Sequence, residues 1–237
     1  MQLLKEFSLE DKCSYLDNKT QTTHYKIIHN CSKEHSQDLV ERGYRRFGKM
    51  FFRPICPSCN ECKSIKIDAN NYIFSKSAKR IMKKNAHLRS FIQKPTLTQE
   101  HINIFEKYHL HMSNKKSWDY NKTTAEHYYG SFVQGHEDFG YEVLYFIEER
   151  LIAVDLIDIL EDGISSIYFY YDPEFAHLSL GKFSLYNQIK YVQEAQKKWI
   201  YLGYYVKECP SLSYKAEYTP FITLDGRPSE NEKFIWT

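Results

Sequence analysis

The sequence lacks any apolar run of about 18 residues or more, and no basic start leads into an apolar segment. These absences exclude a spanning helix and a secretory signal, so we expect a cytoplasmic protein with no membrane partner. Internal repeats and low-complexity stretches are also missing, which excludes repeat arrays and long linkers. Glycine is scarce, with 9 residues in 237, which leaves little material for a glycine-rich phosphate loop.

Apolar and aromatic residues are plentiful enough for a packed core. The 237 residues are 42% hydrophobic and 16% aromatic, and 20 of them are tyrosine. This length suits one large domain or two small ones. The tyrosines suit core packing, and they equally suit a surface that stacks on bases.

Positive charge is concentrated in one part of the chain. Residues 42–94 carry 14 Lys and Arg against two acids, Glu61 and Asp68, although the whole chain is only +2. A solvated basic face would explain the charge alone. The interleaving with aromatics, as in residues 44–47 and 51–53, favours a surface that binds a polyanion.

The first part of the chain predicts a small basic unit. Residues 35–42 read as a short helix closed by Gly43, and residues 44–53 and 64–67 as strands around a cysteine loop. Residues 77–89 predict a basic helix, and Pro95 then breaks the chain. We therefore predict a basic, cysteine-containing N-terminal domain over residues 1–94.

The second part predicts an antiparallel meander that feeds a crossover helix. Helices are expected from Thr98 to about Ser113 and from Thr123 to about Val133. Strands are expected at 141–148, 151–160, 164–171 and 200–206, with a helix at about 181–198 before the last of them. This α+β order, with a mixed sheet over residues 95–237, resembles the GNAT acyltransferase fold.

The start of the predicted crossover helix is a candidate anion site. In the GNAT fold, two parallel strands splay apart and the donor phosphates lie near this helix N-terminus. The corresponding residues here are Ser179, Gly181 and Lys182. A single glycine is also compatible with an ordinary helix start.

Three cysteines repeat at a spacing of two intervening residues. Cys56, Cys59 and Cys62 form this loop, and Cys13 lies upstream. The spacing allows four thiolates to meet on zinc or on an iron–sulfur cluster. A reduced loop without metal and a redox-sensing dithiol are the alternatives.

Several motifs in shared order resemble the R-transferase family, in its bacterial aspartate/glutamate leucyltransferase branch. The tyrosine-rich stretch 199–220 contains the most distinctive of them. The matching pieces are residues 13–16, 41–48, 52–54, 74–77, 79–80, 170–172, 179–181, 201–205, 209–210 and 214–215. Eukaryotic relatives carry a second cysteine where Leu16 stands here.

The resemblance implies transfer of an amino acid, leucine in this branch, from aminoacyl-tRNA to a protein whose N-terminal residue is Asp or Glu. Such transfer marks the acceptor for degradation by the N-end rule pathway. An aminoacyl-tRNA is an activated ester, so the implied aminolysis needs no cofactor. The implied partners are the aminoacyl-tRNA and the acceptor protein.

Site residues are expected on three groups of side chains. Asp172 and the adjoining Tyr171 are the catalytic candidates, because Asp172 can hold the acceptor amine or its proton; a turn or cap role is the alternative for Asp172. The candidates for binding the acidic N-terminus are Arg45, Arg46, Lys76 and Arg80, each of which would equally suit tRNA phosphates. The candidates for the tRNA 3′ end, beside Ser179, Gly181 and Lys182, are Tyr204, Tyr205, Tyr214 and Lys215.

Two other functions are compatible with the residues. An acetyl-CoA-dependent N-acetyltransferase would use the same fold with a fuller glycine loop. A non-enzymatic RNA-binding or metal-sensing regulator would use the basic cysteine unit and keep the rest as a scaffold.

Overall fold

A computed structural model describes residues 1–116 and 119–237. The chain forms a four-stranded sheet in the order β1-β2-β4-β3 and a seven-stranded sheet in the order β11-β5-β10-β9-β8-β7-β6. The strands are β1 Gln2–Lys12, β2 Thr20–His29, β3 Arg45–Phe47, β4 Met50–Pro54, β5 Lys63–Asp68, β6 Arg89–Gln93, β7 Gly140–Ile147, β8 Arg150–Ile159, β9 Gly163–Tyr171, β10 Trp199–Tyr205 and β11 Phe221–Thr223.

Helices cover both faces of the larger sheet. They are α1 Lys33–Glu41, α2 Lys76–Lys84, α3 Gln99–Lys116, α4 Ala125–Tyr128, α5 Leu180–Glu194 and α6 Pro210–Ser213. A π-helical turn, Tyr129–Val133, continues α4, and 3₁₀ turns cover Pro173–Leu178 and Tyr214–Glu217. Within the described ranges, no helix is both long and apolar enough to span a membrane.

The larger sheet is mixed, as the sequence predicts. All its neighbouring strands are antiparallel except β9 and β10, which are parallel and joined through α5. Ser75 caps α2 and Thr124 caps α4, because each side chain accepts a hydrogen bond from a backbone N–H of the first turn.

The core lies on both faces of β8, which is buried from Leu151 to Asp158. Leu156 packs with α3 and α4 on one face, and Ile157 packs with α2 and α5 on the other. Alternating side chains of one strand therefore supply two cores. A third buried cluster, around Phe51 and Leu39, packs against the smaller sheet.

Two of the predicted elements differ from those in the structure. Residues 44–53 form a hairpin, β3 and β4, with its turn at Gly48 and Lys49, instead of one strand. Helix α2 ends at Lys84, because Asn85 caps it and the following chain becomes β6.

The larger sheet takes strands from both sides of residue 94. β5 pairs with β10 and β11, and β6 pairs with β7. The expected boundary at residue 94 thus falls beside β6, within the span of a continuous sheet. Two folding units divided at that residue would share this sheet.

Candidate active site

The two parallel strands of the larger sheet separate along their length. β9 and β10 pair at Gly163–Trp199, Ile164–Ile200 and Ser165–Tyr201, and both strands then continue without pairing to each other. A register shift between Tyr201 and Gly203, on the other edge of β10, bends the strand at the same level. The result is an opening whose edges are backbone groups of β9 and β10.

Arg45 of β3 fills this opening from the smaller sheet. Its Nη2 donates to the carbonyl oxygens of Ser166 at 3.1 Å and Ile167 at 2.7 Å, and its Nη1 donates to that of Leu202 at 3.3 Å. The guanidinium therefore bridges the two separated strands. Gly203 has φ +74°, and a Cβ there would overlap this guanidinium.

Lys215 brings a second basic side chain to the same opening. It is 6% exposed, and its Nζ donates to the carbonyl oxygen of Tyr204 at 2.6 Å. Burial, and then the charge of Arg45, holds the pKa of Lys215 well below its ordinary value. Among the described residues, neither Arg45 nor Lys215 forms an ion pair with a carboxylate. The opening therefore has an excess of positive charge and is suited to an anion.

The three tyrosines predicted at the tRNA end have different surroundings. Tyr204 is 4% exposed, and its hydroxyl donates to the carbonyl oxygen of Phe52 at 2.9 Å. Tyr205 is half-buried against Phe221. Tyr214 is 44% exposed and lies beside Lys215, so its ring is available for stacking.

The N-terminus of α5 lies next to the end of β9. Ser179 adopts φ +56° and its side chain does not cap the helix, while Lys182 is half-exposed. A Cβ on Gly181 would stand 3.6 Å from the Phe169 ring, which is an ordinary contact. The first N–H groups of a helix have no intrahelical acceptor, so this end favours an anion.

Helix α2 is held against the start of α5. Asn85 Nδ2 donates to the carbonyl oxygen of Leu178 at 2.9 Å, and Lys84 Nζ donates to that of His177 at 2.7 Å. The basic side chains predicted on this helix, Lys76 and Arg80, are exposed. The structure thus places the C-terminal end of this basic helix beside the α5 N-terminus.

The family resemblance implies tRNA binding, and if α2 contributes to it as the sequence predicts, reversing the charge on α2 should weaken that binding without changing the chemical step. For the double variant Lys76→Glu and Arg80→Glu, we expect a higher KM for aminoacyl-tRNA. The logarithm of its association constant with tRNA should also fall less steeply with the logarithm of salt concentration, by about 1.5 in slope. The matched control is Lys5→Glu with Lys12→Glu on β1. Equal salt slopes for the α2 variant and the wild type would contradict this role.

Asp172 lies at the end of β9 in an ion-pair cluster. Its carboxylate is 2% exposed and pairs with Lys107 Nζ at 3.1 Å and Arg150 Nη2 at 2.6 Å. It also accepts from the backbone N–H of Glu174, which caps the following turn. Burial raises the pKa of Asp172, but the hydrogen bonds from Lys107 and Arg150 outweigh it and lower that pKa. These contacts favour a capping role over proton abstraction.

The neighbouring Tyr171 is half-buried against Tyr108.

Arg46 points away from the opening. It is 4% exposed, and its guanidinium binds both carboxylate oxygens of Asp158, at 2.9 and 2.6 Å. Its Nη1 donates to the carbonyl oxygens of Gly48 and Gly135. The structure therefore disfavours the prediction that Arg46 binds an acidic N-terminus, because its donors are used inside the protein.

The four cysteines predicted as ligands line one cavity of about 190 Å³, together with Tyr15 and Tyr204. Burial, and then the nearby Cys13, Cys56 and Cys59, raises the pKa of Cys62 to about 12. All six cysteines of the chain are free thiols. In the part of the chain that the structure describes, no group of His, Cys, Asp or Glu is arranged to coordinate a metal.

A buried acid beneath the opening was not singled out from the sequence. Asp155 of β8 is fully buried and accepts from Ser184 Oγ and from Gln188 Nε2. Gln188 Nε2 also donates to Ser166 Oγ at 3.4 Å, so this network reaches β9 at the opening. Burial raises the pKa of Asp155 to about 6, against the effect of those hydrogen bonds.

Asp155 should make stability depend on pH. Because its pKa is higher in the folded protein than in the unfolded chain, it contributes stability below pH ~4 that is lost as the pH rises through ~6. Relative to Asp155→Asn, we expect the wild-type free energy of unfolding to fall by up to about 3 kcal/mol over this range. Urea unfolding of both proteins at several pH values measures this difference. Parallel curves of unfolding free energy against pH for the two proteins would contradict the prediction.

Comparisons with known proteins identify the class. Models of the arginine-tRNA-protein transferase match the chain, the N-terminal one over residues 11–80 and the C-terminal one over residues 100–225. Together with the mixed sheet and its opening, these matches define an aminoacyltransferase. The chain belongs to the arginine-tRNA-protein transferase family, as the motifs of the sequence predict.

Two similar relatives are named as leucyltransferases. An aspartate/glutamate leucyltransferase of Campylobacter jejuni is 49% identical over 231 residues, covering 97% of this chain and 96% of the relative. One of Helicobacter hepaticus is 43% identical over 236 residues, covering 100% and 98%. The solved structure of L-PGS from Bacillus licheniformis aligns at a TM-score of 0.45 and 13% identity, over 61% of this chain and 47% of that one.

Proposed function

We propose that this protein transfers leucine from leucyl-tRNA to the N-terminal Asp or Glu of acceptor proteins, and so marks them for the N-end rule pathway. The relatives named above supply the donor and acceptor classes. The observation that carries the proposal is the pair of basic side chains, Arg45 and Lys215, in the opening between β9 and β10 without a carboxylate partner among the described residues.

The reaction is aminolysis of an ester at this opening. The neutral α-amine of the acceptor attacks the leucyl carbonyl carbon, the bond from that carbon to the tRNA 3′ oxygen breaks, and the amine proton leaves with the 3′-hydroxyl or to water. An α-amino group has a pKa of about 8, so a dedicated strong base is not required.

Arg45 and Lys215 would act on the charge that develops during this attack. The carbonyl oxygen becomes anionic in the tetrahedral intermediate, and an anion there would be stabilised by the Arg45 guanidinium and would favour the protonated, hydrogen-bond-donating form of Lys215. This stabilisation is larger in the transition state than in the ground state, which is the requirement for acceleration. The backbone carbonyls that hold Arg45 keep it in place before the substrate arrives.

The donor tRNA would extend from the opening across α5 and α2. Ser179, Gly181 and Lys182 are proposed to meet the phosphates of the 3′ end, and Lys76 and Arg80 those of the acceptor stem. Tyr214 is proposed to stack on a terminal base. Tyr204 and Tyr205 would shape the wall beside it, since both are largely packed.

The remaining predicted features have supporting roles in the proposal. Asp172 and Tyr171 would fix the chain between β9 and α5, so that the helix N-terminus faces the ester. The arrangement is GNAT-like, with residues 1–94 supplying most of the basic surface.

Zinc or an iron–sulfur cluster at Cys13, Cys56, Cys59 and Cys62 stays a prediction and has no part in this chemistry. Because aminoacyl-tRNA is a cytoplasmic substrate, the proposal implies a cytoplasmic enzyme.

One assay separates this function from the other candidates. The protein is incubated with an Asp-initiated peptide and labelled leucyl-tRNA, arginyl-tRNA or acetyl-CoA. We expect label from leucyl-tRNA to appear on the peptide. Label only from acetyl-CoA would indicate an N-acetyltransferase, label only from arginyl-tRNA an arginyl enzyme, and no transfer with retained tRNA binding a regulator.

A further inference from the structure

A second cleft, of about 530 Å³, lies beside the opening. Aromatic rings from four elements form its walls, and Lys49 and His127 contribute basic groups. The rings are those of Phe47, Phe105, Phe132 and Tyr168. Neither these four rings nor Lys49 are among the site residues predicted from the sequence.

The cleft is close enough to the opening to hold part of a reacting molecule. Arg45 and Phe47 are two residues apart on β3, so they lie on one face, separated by about 7 Å along the strand. Tyr168 follows Ile167, whose carbonyl oxygen accepts from Arg45 at 2.7 Å. A residue whose α-amine attacks an ester at the opening can therefore place its own side chain in this cleft.

Lys49 is presented to the cleft by a tightly packed turn. A Cβ on Gly48 would overlap the carbonyl oxygen of Gly130, so the turn between β3 and β4 lies directly against the π-helical turn. Arg46 Nη1 binds the carbonyl oxygens of Gly48 at 2.7 Å and Gly135 at 3.1 Å, which clamps both segments together. The backbone that bears Lys49 is thus fixed by the buried Arg46–Asp158 pair.

Lys49 is half-buried, and over residues 1–116 and 119–237 no carboxylate pairs with it. His127 also lines the cleft, and its ring Nδ1 is hydrogen-bonded to Thr123 Oγ1 at 3.0 Å. A lysine at the edge of apolar walls has lost part of its hydration and gains most from an anionic partner. The geometry therefore favours a ligand that combines a carboxylate with a short aliphatic stem.

We propose that Lys49 binds the side-chain carboxylate of the acceptor's N-terminal Asp or Glu, and that this cleft is the acceptor specificity site. The inference rests on the proposed function and assigns the acid-binding role to a residue outside the predicted set. An acceptor beginning with Asn or Gln would leave the ammonium without a counter-charge, which explains discrimination between acids and amides.

The test is acceptor specificity at fixed leucyl-tRNA. The kcat/KM values are measured for peptides that differ only in an N-terminal Asp, Glu, Asn or Gln, with wild type, Lys49→Gln and Lys49→Arg. We expect Lys49→Gln to lower kcat/KM for the Asp and Glu peptides about 10- to 100-fold and to bring the Asp-to-Asn ratio close to one. Lys49→Arg should keep most of the discrimination, because it keeps the charge.

The control variant is Lys5→Gln on the exposed strand β1, which should leave all four values unchanged. Unfolding midpoints of each variant separate a folding defect from a binding defect. An unchanged Asp-to-Asn ratio in folded Lys49→Gln would overturn the inference. So would a rise in the KM for leucyl-tRNA with equal losses on every peptide, because the cleft would then hold the donor. Failure of the wild type to transfer leucine to any peptide would instead contradict the proposed function.

Discussion

Replacing Arg45 with lysine should lower the single-turnover rate of leucyl transfer about 100-fold or more. Removing one donor from an oxyanion site typically costs this much. Lysine keeps the charge but has no planar fork, so it cannot bridge the carbonyl oxygens of Ser166, Ile167 and Leu202 as the guanidinium does. The expected loss is therefore in kcat, with little change in the KM for leucyl-tRNA.

Rapid-quench measurement of labelled peptide, with enzyme in excess over leucyl-tRNA, follows this step directly. Arg89→Lys is the matched control, because Arg89 is a half-exposed arginine on β6 that pairs with Glu149. Gly203→Ala should reproduce the Arg45→Lys defect, since the added Cβ displaces the guanidinium. A folded Arg45→Lys protein with a rate within twofold of wild type would remove Arg45 from the site.

Asp158→Asn should lower the free energy of unfolding by about 3–5 kcal/mol, the usual cost of removing one partner of a buried ion pair. Asp158 is fully buried and holds both Nε and Nη2 of Arg46, whose cation would lose its counter-charge. Arg46 also donates hydrogen bonds to the carbonyl oxygens of Gly48 and Gly135, so the substitution should also destabilise the cleft that Lys49 lines.

Urea unfolding at pH 7 measures this cost. The control is Lys182→Ala, which breaks the exposed pair with Glu217 and should cost no more than about 1 kcal/mol. If Arg46 instead bound substrate, Asp158→Asn would leave stability nearly unchanged and reduce acceptor binding alone. That outcome would restore the role predicted for Arg46 from the sequence.

The two adjacent arginines show what the sequence could and could not predict. Basic and aromatic residues around position 45 indicated a functional surface, and Arg45 does reach the opening. Neighbouring residues of a strand point to opposite faces, so only one of Arg45 and Arg46 can face it. Which one does so depends on how the smaller sheet packs on β9 and β10, and that packing is not local in the sequence.

The order of strands and helices in the second half of the chain was predictable from the sequence, because its signals are local. Strands β7 to β10 and helix α5 follow alternating and helical periodicities with turn residues between them. The pairing of β5 between β10 and β11 was not, because it joins segments more than 100 residues apart. The cleft that holds Lys49 was missed for the same reason, since its walls come from β3, α3, the π-helical turn and β9.

Asp172 shows a limit of a different kind. Its position at the end of β9 before Pro173 suited both a catalytic group and a cap. The partners that favour the cap, Lys107 and Arg150, come from α3 and β8. A carboxylate with a lowered pKa between two cations is a poor proton acceptor, and no feature of residues 170–173 alone could reveal those cations.

The central claim is that the leucyl ester lies at the opening between β9 and β10. The direct measurement is a crystal structure with a non-hydrolysable donor, a CCA 3′ end that carries leucine through an amide. We predict the leucyl carbonyl oxygen at about 3 Å from the side-chain donors of Arg45 or Lys215, with the phosphates toward Ser179 and Lys182. A leucyl group bound elsewhere, with Arg45 still bonded only to the carbonyl oxygens of β9 and β10, would contradict the account.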